Sequence, residues 1–268
     1  MKYNMELDFS NYQDKNLLKI IKKIDSLCLK ETFKSNKVSF LYKNISDNTV
    51  MSFNPDICFY AASTIKILIC LMIIEKVEKK ELNMTDKILI TMSDLKQDTG
   101  IIKYQKEDTY YTLEELLRLT IVESDNTSYL KLVNILGKEN IKKYGKKIKA
   151  KHTFEGKDLF GITSSNDMLI YLEQIKKYID SNNKYSNLFK EWLSNPKEKL
   201  IKDKSINNKN YVRKYGSYDI AYHEVGYVED ENPYYLIILT QLNKKNYKDK
   251  FINELASLIT NFHNYINK

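Results

Sequence analysis

Glycine, proline and cysteine are scarce in this chain of 268 residues, and each shortage excludes something. With 7 glycines and 3 prolines there is little material for a flexible linker, so one compact unit is expected. The 3 cysteines, Cys28, Cys58 and Cys70, form no Cys-x-x-Cys pair. An odd and scattered set argues against a disulfide framework and a zinc site, and reads as small buried hydrophobes in a reducing compartment. His152, His223 and His263 are equally scattered, so no metal or other cofactor is expected. No apolar run approaches the roughly 18 residues of a membrane span; the longest, Ile67 to Ile74, contains Cys70. The first 16 residues hold no apolar signal segment, which places the chain as given in the cytoplasm, with export expected only if a leader was trimmed.

Negative charge is also short: 35 acidic against 43 basic residues leave a net charge of +8. Such an excess permits nucleic acid or an anionic surface as partner. Lysine is nevertheless high throughout, and the densest stretch, Lys138 to Lys151, reads as the end of one helix and the solvated face of the next segment. No aromatic and basic signature of a nucleic-acid module accompanies it, so that class of partner is not expected.

The 43% of hydrophobic residues in a chain of this length can bury about three quarters of the unfolded surface. Leu17, Ile20, Ile21, Ile24, Leu27 and Cys28 recur at helical spacing and predict a helix from about 14 to 32. Val38 to Lys43 and Thr49 to Phe53 predict a hairpin turned at Asp47 and Asn48. Three more strand-like runs, Tyr211 to Ser217, Ala221 to Val228 and Tyr234 to Gln241, precede a final helix with Tyr247, Phe251, Ile252, Leu255, Leu258, Ile259 and Phe262 on one stripe. Between these groups, 64–80, 112–121, 126–136 and 165–177 show the helical period. The order predicts an α+β fold: a five-stranded antiparallel sheet with terminal helices and an all-helical second lobe. One domain over 1–268 is expected, its sheet lobe at about 1–62 and 203–268 and its helical lobe at about 63–202. A cleft between two such lobes is a usual ligand site.

Ser63-Thr64-Ile65-Lys66 places a hydroxyl and an amine on one face of a helix. A serine needs a base within reach to act as a nucleophile, and a lysine serves once burial and nearby positive charge lower its pKa. Ser-x-x-Lys also occurs at Ser93, Ser128, Ser181 and Ser194, so context must select. Only Ser63 opens the most apolar helix of the chain, where it is either a nucleophile or a plain N-cap. Ser124-Asp125-Asn126 lies between apolar helices and is either a capped turn or a second element of a site. Lys214-Tyr215-Gly216-Ser217 sits in a strand whose glycine permits close approach of a ligand.

In this order the three elements resemble the penicillin-recognising serine hydrolases, and most closely the class A β-lactamase family, with its Ser-x-x-Lys, Ser-Asp-Asn and Lys-Thr-Gly motifs. FYAASTIKI, YTLEELLRLTIVESDNTSYLKLV, TSSNDMLIYLEQI and DTGII (Asp98 to Ile102) are similar to the family's text around them. The resemblance implies a β-lactamase or DD-peptidase-like fold and a small-molecule substrate, a β-lactam or a D-alanyl peptide, taken by a monomer. It implies that Ser63 is acylated, Lys66 takes its proton, Ser124 passes a proton to the leaving nitrogen and Asn126 holds the substrate's amide. Lys214, Tyr215, Gly216 and Ser217 would then bind substrate, with the N–H groups of Ser63 and Ser217 as oxyanion hole.

Two departures bear on that reading. Tyr215 stands where the family has threonine or serine. No Glu-x-x-Leu-Asn motif exists to activate the deacylating water, and Glu155 and Asp158, in the stretch just before Thr163, are the acidic candidates for that role. Acylation without prompt release is the consequence, which leaves three alternatives: a β-lactamase, a D-Ala-D-Ala peptidase or esterase, and a module that keeps the fold without catalysis.

Overall fold

The computed structural model describes residues 5–6, 14–155, 159–207, 209–243 and 248–268. Helix α1 (Lys15–Phe33) starts where the Asp14 carboxylate accepts the N–H groups of Asn16 and Leu17. Strands β2 (Lys37–Asn44) and β3 (Val50–Phe53) form the expected hairpin. Asn48 takes the left-handed conformation there, with φ 62°, a geometry that asparagine tolerates. After a one-turn helix α8 (Lys204–Asn207), strands β8 (Asn210–Tyr218), β9 (Ala221–Glu229) and β10 (Tyr234–Gln241) follow as antiparallel neighbours, and α9 (Lys248–Ile266) closes the chain. Numbering the two-residue strand Met5–Glu6 as β1, the sheet order is β1-β3-β2-β10-β9-β8. The five expected strands are present, β1 adds a short sixth, and β8 is an edge. Tyr247, expected on the last helix, lies outside the described residues.

The sheet is covered on both faces, which explains why its strands read as continuous apolar runs. Along β10, Leu236 and Ile238 pack toward Ile24, Cys28, Leu255 and Ile259 of α1 and α9. Tyr235, Ile237 and Leu239 face the opposite core. That second core belongs to α2 (Lys66–Glu78), α3 (Leu113–Val122), α4 (Asn126–Leu136), α6 (Ser165–Ile179) and α7 (Lys184–Ser194). Helix α2 is buried from Lys66 through Ile74; apolar on every side, it can only be the central helix of its layer.

Several elements differ from expectation. The helix predicted from Thr64 becomes regular only at Lys66, because Ala62–Ile65 form a tighter turn in which Thr64 Oγ1 donates to the Ala61 carbonyl (2.6 Å). Lys138–Lys147 is a helix of its own, α5, entered through Gly137 at φ 75°. Two short ladders were not foreseen, β4 (Phe59–Tyr60) with β7 (Ile162–Thr163) and β5 (Lys87–Ile90) with β6 (Thr109–Thr112). The first ties the segment before Ser63 to the segment after residue 159. Among the described residues no helix is long and apolar enough to cross a membrane.

Candidate active site

The turn that carries Ser63 is held from two sides. Ala62 adopts φ 48°, a left-handed backbone that costs a residue with a Cβ about 1–2 kcal/mol, and such strain persists only where surroundings impose it. One constraint is the edge strand: a Cβ placed on Gly216 would meet Thr64 N at 2.9 Å and Ser63 N at 3.0 Å. Glycine therefore lets β8 lie against the backbone of the turn. Ser63 itself is nearly buried, with 8% of its surface exposed.

One helical turn on, Lys66 is wholly buried and its Nζ reaches the Ser124 carbonyl (2.6 Å), Asn126 Oδ1 (2.7 Å) and Ser124 Oγ (3.3 Å). Lys214 Nζ comes from β8 to the same Ser124 Oγ (3.0 Å) and to the Tyr215 carbonyl (3.1 Å). Burial, assisted by the neighbouring Lys214, holds the Lys66 amine well below the ordinary lysine range. Burial also lowers Lys214, to about 7. Two of the atoms around Lys66 are carbonyl oxygens, which only accept. A neutral amine has two N–H groups to give them, and its lone pair is left for a hydroxyl.

Asp125, to which the sequence reading gave no role, organises this corner. Its Oδ1 accepts the Ser128 N–H (2.9 Å) and starts α4, while Oδ2 accepts the N–H groups of Ile101 (2.7 Å) and Ile102 (2.9 Å). Gly100, at φ 113°, has no room for a Cβ against that carboxylate. The Asp98 to Ile102 segment is thereby pinned beside Asn126, whose Nδ2 reaches Asp98 Oδ2 at 3.5 Å. The sequence held a signal in Gly100 and Asp125, but only proximity pairs them. Ser124 shares the left-handed backbone, with φ 53°.

The substitution at Tyr215 has a definite consequence. Its ring lies 4.4 Å from Lys214 Nζ, and the Ser124 side chain is close enough to act on its hydroxyl. The phenol stays in the cleft, half-buried, in front of the two groups that the resemblance assigns to substrate. Ser217, the next residue but one, is exposed. Aromatic rings also stand on the other side: Lys66 Nζ is 5.4 Å from the Tyr129 ring and 5.8 Å from the Phe160 ring. Tyr60 touches both Phe160 and Tyr218.

Of the acidic candidates, Glu155 is exposed, accepts from or pairs with His152 Nδ1 (3.1 Å) and lines a separate groove with Lys142, Lys146 and Lys151. That groove includes none of Ser63, Lys66 or Ser124. Asp158 lies outside the described residues. Tyr104 and Tyr110 are largely exposed. Among the described residues no group of three or more His, Cys, Asp or Glu side chains is placed to hold a metal ion. Thus the structure gathers Lys66, Ser124, Asn126, Lys214 and Tyr215, sets the backbone of Ser63 against Gly216 one helical turn from Lys66, and leaves Glu155 apart.

A sheet covered by terminal helices, a helical layer and the tight Ser63 turn at their seam define the class of penicillin-recognising serine hydrolases by fold. Known proteins agree. The Beta-lactamase enzyme family matches residues 19–263, and the chain belongs to that family. Beta-lactamase VEB-1 of Pseudomonas aeruginosa is 27% identical over 217 residues, 80% of this chain; the match spans 64% of that curated relative's length. Among solved structures, PBP-A superposes with a TM-score of 0.83 at 16% identity, covering 93% of this chain and 97% of its own. A class A beta-lactamase representative from Bacteroides cellulosilyticus gives 0.80 at 20% identity, covering 94% and 100%. At such identities these structures speak for the fold.

Proposed function

We propose that the protein is a serine acyl-enzyme former that takes β-lactams at Ser63 and releases the acyl group slowly. The observation that carries this reading is the buried amine Lys66, one turn from Ser63 and bound to Ser124 and Asn126. Neutral Lys66 takes the Ser63 proton as the Ser63 oxygen bonds to the lactam carbonyl carbon. The carbon–nitrogen bond then breaks, and the proton passes from Lys66 through the Ser124 hydroxyl to the leaving nitrogen, so no proton is gained or lost overall. Edge strand β8 leaves backbone N–H groups unpaired on the side of the Ser63 turn, where an oxyanion would find donors worth about 2.7–4 kcal/mol each. A variant of the structural neighbour PBP-A is known as an acyl-enzyme complex with penicillin G, which supports the same first step here.

Slow release is supported by what flanks the amine. Tyr129 and Phe160 stand beside Lys66, and Glu155 is engaged elsewhere with His152. The Glu-x-x-Leu-Asn motif that would supply a water-activating carboxylate does not occur in the sequence, and without such a base an acyl ester persists. The same observation favours a D-alanyl peptidase or esterase as second reading, since such enzymes share the acylation half. Incubation with a fluorescent penicillin and mass analysis is expected to place one adduct on Ser63 and none on Ser63→Ala; no adduct on the wild type overturns the proposal. Rapid nitrocefin turnover would refute slow release, and turnover of a D-Ala-D-Ala peptide instead would establish the second reading.

A further inference from the structure

Beside Tyr215 and Ser217 opens a cavity of about 320 Å³ that is lined by neither Ser63 nor Lys66 and has Lys199 and Lys248, with Glu123 and Glu198, in its wall. Its wall is built with care. Glu224, wholly buried, is the cross-strand partner of Tyr215 and accepts the N–H groups of Leu200 (2.5 Å) and Ile201 (3.0 Å), while Arg213 Nη1 donates to the same carboxylate (3.1 Å) and to the Ile201 carbonyl (3.1 Å). A buried ion pair is a costly device, and this one fixes the loop that carries Lys199 against the edge strand. Lys197 in the same loop is paired with Glu123 (2.8 Å), whereas neither Lys199 nor Lys248 forms an ion pair among the described residues.

Tyr215 meanwhile lays its ring 4.4 Å from Nζ of the wholly buried Lys214, close to Ser124. An anion on the substrate cannot reach Lys214 directly while that ring is in place. We infer that Tyr215 shifts the anion subsite outward, so that the protein prefers acyl donors whose leaving group carries its negative charge several ångströms beyond the scissile bond, where Lys199 and Lys248 receive it. This rests on acylation at Ser63 as proposed above. Tyr215 is then a specificity residue that disfavours a compact bicyclic β-lactam and admits a longer anionic leaving group.

The test compares acyl-glycyl esters of 3-carboxyphenol and of phenol with a fluorescent penicillin. In each ester the Ser63 oxygen bonds to the acyl carbon, the bond to the phenol oxygen breaks, and the phenol leaves with the serine proton. The 3-carboxyphenyl ester is expected to acylate the wild type about tenfold faster than the phenyl ester, an advantage that shrinks with added salt and is lost in Lys199→Ala/Lys248→Ala. Tyr215→Thr is expected to speed penicillin labelling by a similar factor, about tenfold. Equal rates for the two esters, or a preference untouched by the double substitution, overturns the displaced subsite. Slower penicillin labelling in Tyr215→Thr overturns the role of Tyr215. If no probe labels Ser63 in the wild type, the acylation reading itself fails, which mass analysis distinguishes from labelling without charge preference.

Discussion

Replacing Lys214 by methionine weighs what the amine cluster costs the fold. Methionine fills a similar volume without charge and adapts its shape to the site. Burial lowers the Lys214 amine to about 7, against about 10.4 in an unfolded chain. Between those values the unfolded chain holds a proton that the folded protein has shed, so wild-type stability rises with pH across the window, by up to about 1.4 kcal/mol per unit. Below the folded value both states are protonated, and the folded state carries the whole penalty, on the order of 4–5 kcal/mol. The variant escapes that penalty but loses the hydrogen bonds that Lys214 gives to Ser124 Oγ and to the Tyr215 carbonyl, which costs about 1–3 kcal/mol. Lys214→Met is therefore expected to be more stable than wild type by roughly 1–3 kcal/mol near pH 6 and less stable near pH 10. Urea unfolding of both proteins at a series of pH values reads the difference. Lys66, also lowered by burial, keeps some slope in the variant, so the diagnostic is the change in difference between the two. A stability difference that stays constant from pH 6 to about 10 would refute the assignment of a neutral buried amine at Lys214.

Gly216→Ala places a Cβ at 2.9 Å from Thr64 N and 3.0 Å from Ser63 N; because both are backbone atoms the strand must retreat, with an expected loss of about 1–3 kcal/mol in unfolding experiments and of penicillin labelling at Ser63. Labelling of the wild type should rise with pH along a limb well below the ordinary lysine range, as the buried Lys66 loses its proton. Lys214→Gln removes the neighbouring positive charge, so that limb should move to higher pH in the labelling profile. Phe160→Glu puts a carboxylate beside Lys66, whose Nζ is 5.8 Å from the native ring. It is expected to shorten the lifetime of the acyl-enzyme about a hundredfold, the lower range for an added general base, as followed by mass spectrometry. An unchanged lifetime would sink the idea that the aromatic wall preserves the ester.

The parts of the site legible in the sequence are those whose chemistry is local along the chain. Ser63 and Lys66 lie one helical turn apart, Ser124 and Asn126 flank a helix start, and Lys214 and Gly216 share a strand; each motif fixes its own geometry, and their order points to the family. The sheet was legible for a related reason, since Tyr234 to Gln241 is apolar on both faces and only a doubly covered strand can be. The β5–β6 hairpin escaped because Lys87–Ile90 and Thr109–Thr112 are largely half-exposed and show no clean alternation. What stayed hidden depends on side chains meeting across long stretches of sequence. Asp125 serves two backbone N–H groups more than 20 residues upstream, and nothing in Ser-Asp-Asn alone says so. Phe160 reaches Lys66 from a segment without a motif, and Glu224 supports the Lys199 loop through a buried pair that reads in the sequence as one more charged residue in a strand. Tyr215 is the instructive case. The sequence shows that a phenol replaces a small hydroxyl, but whether it leaves the cleft or closes it is decided by the neighbouring Lys214 and Ser124, which set an amine against the ring and a hydroxyl near the phenol at the open edge of the sheet. A substitution that would look like simple loss of the motif thus becomes an interaction inside the site. For that reason specificity here has to be argued from the contacts of residue 215 and not from the motif it interrupts.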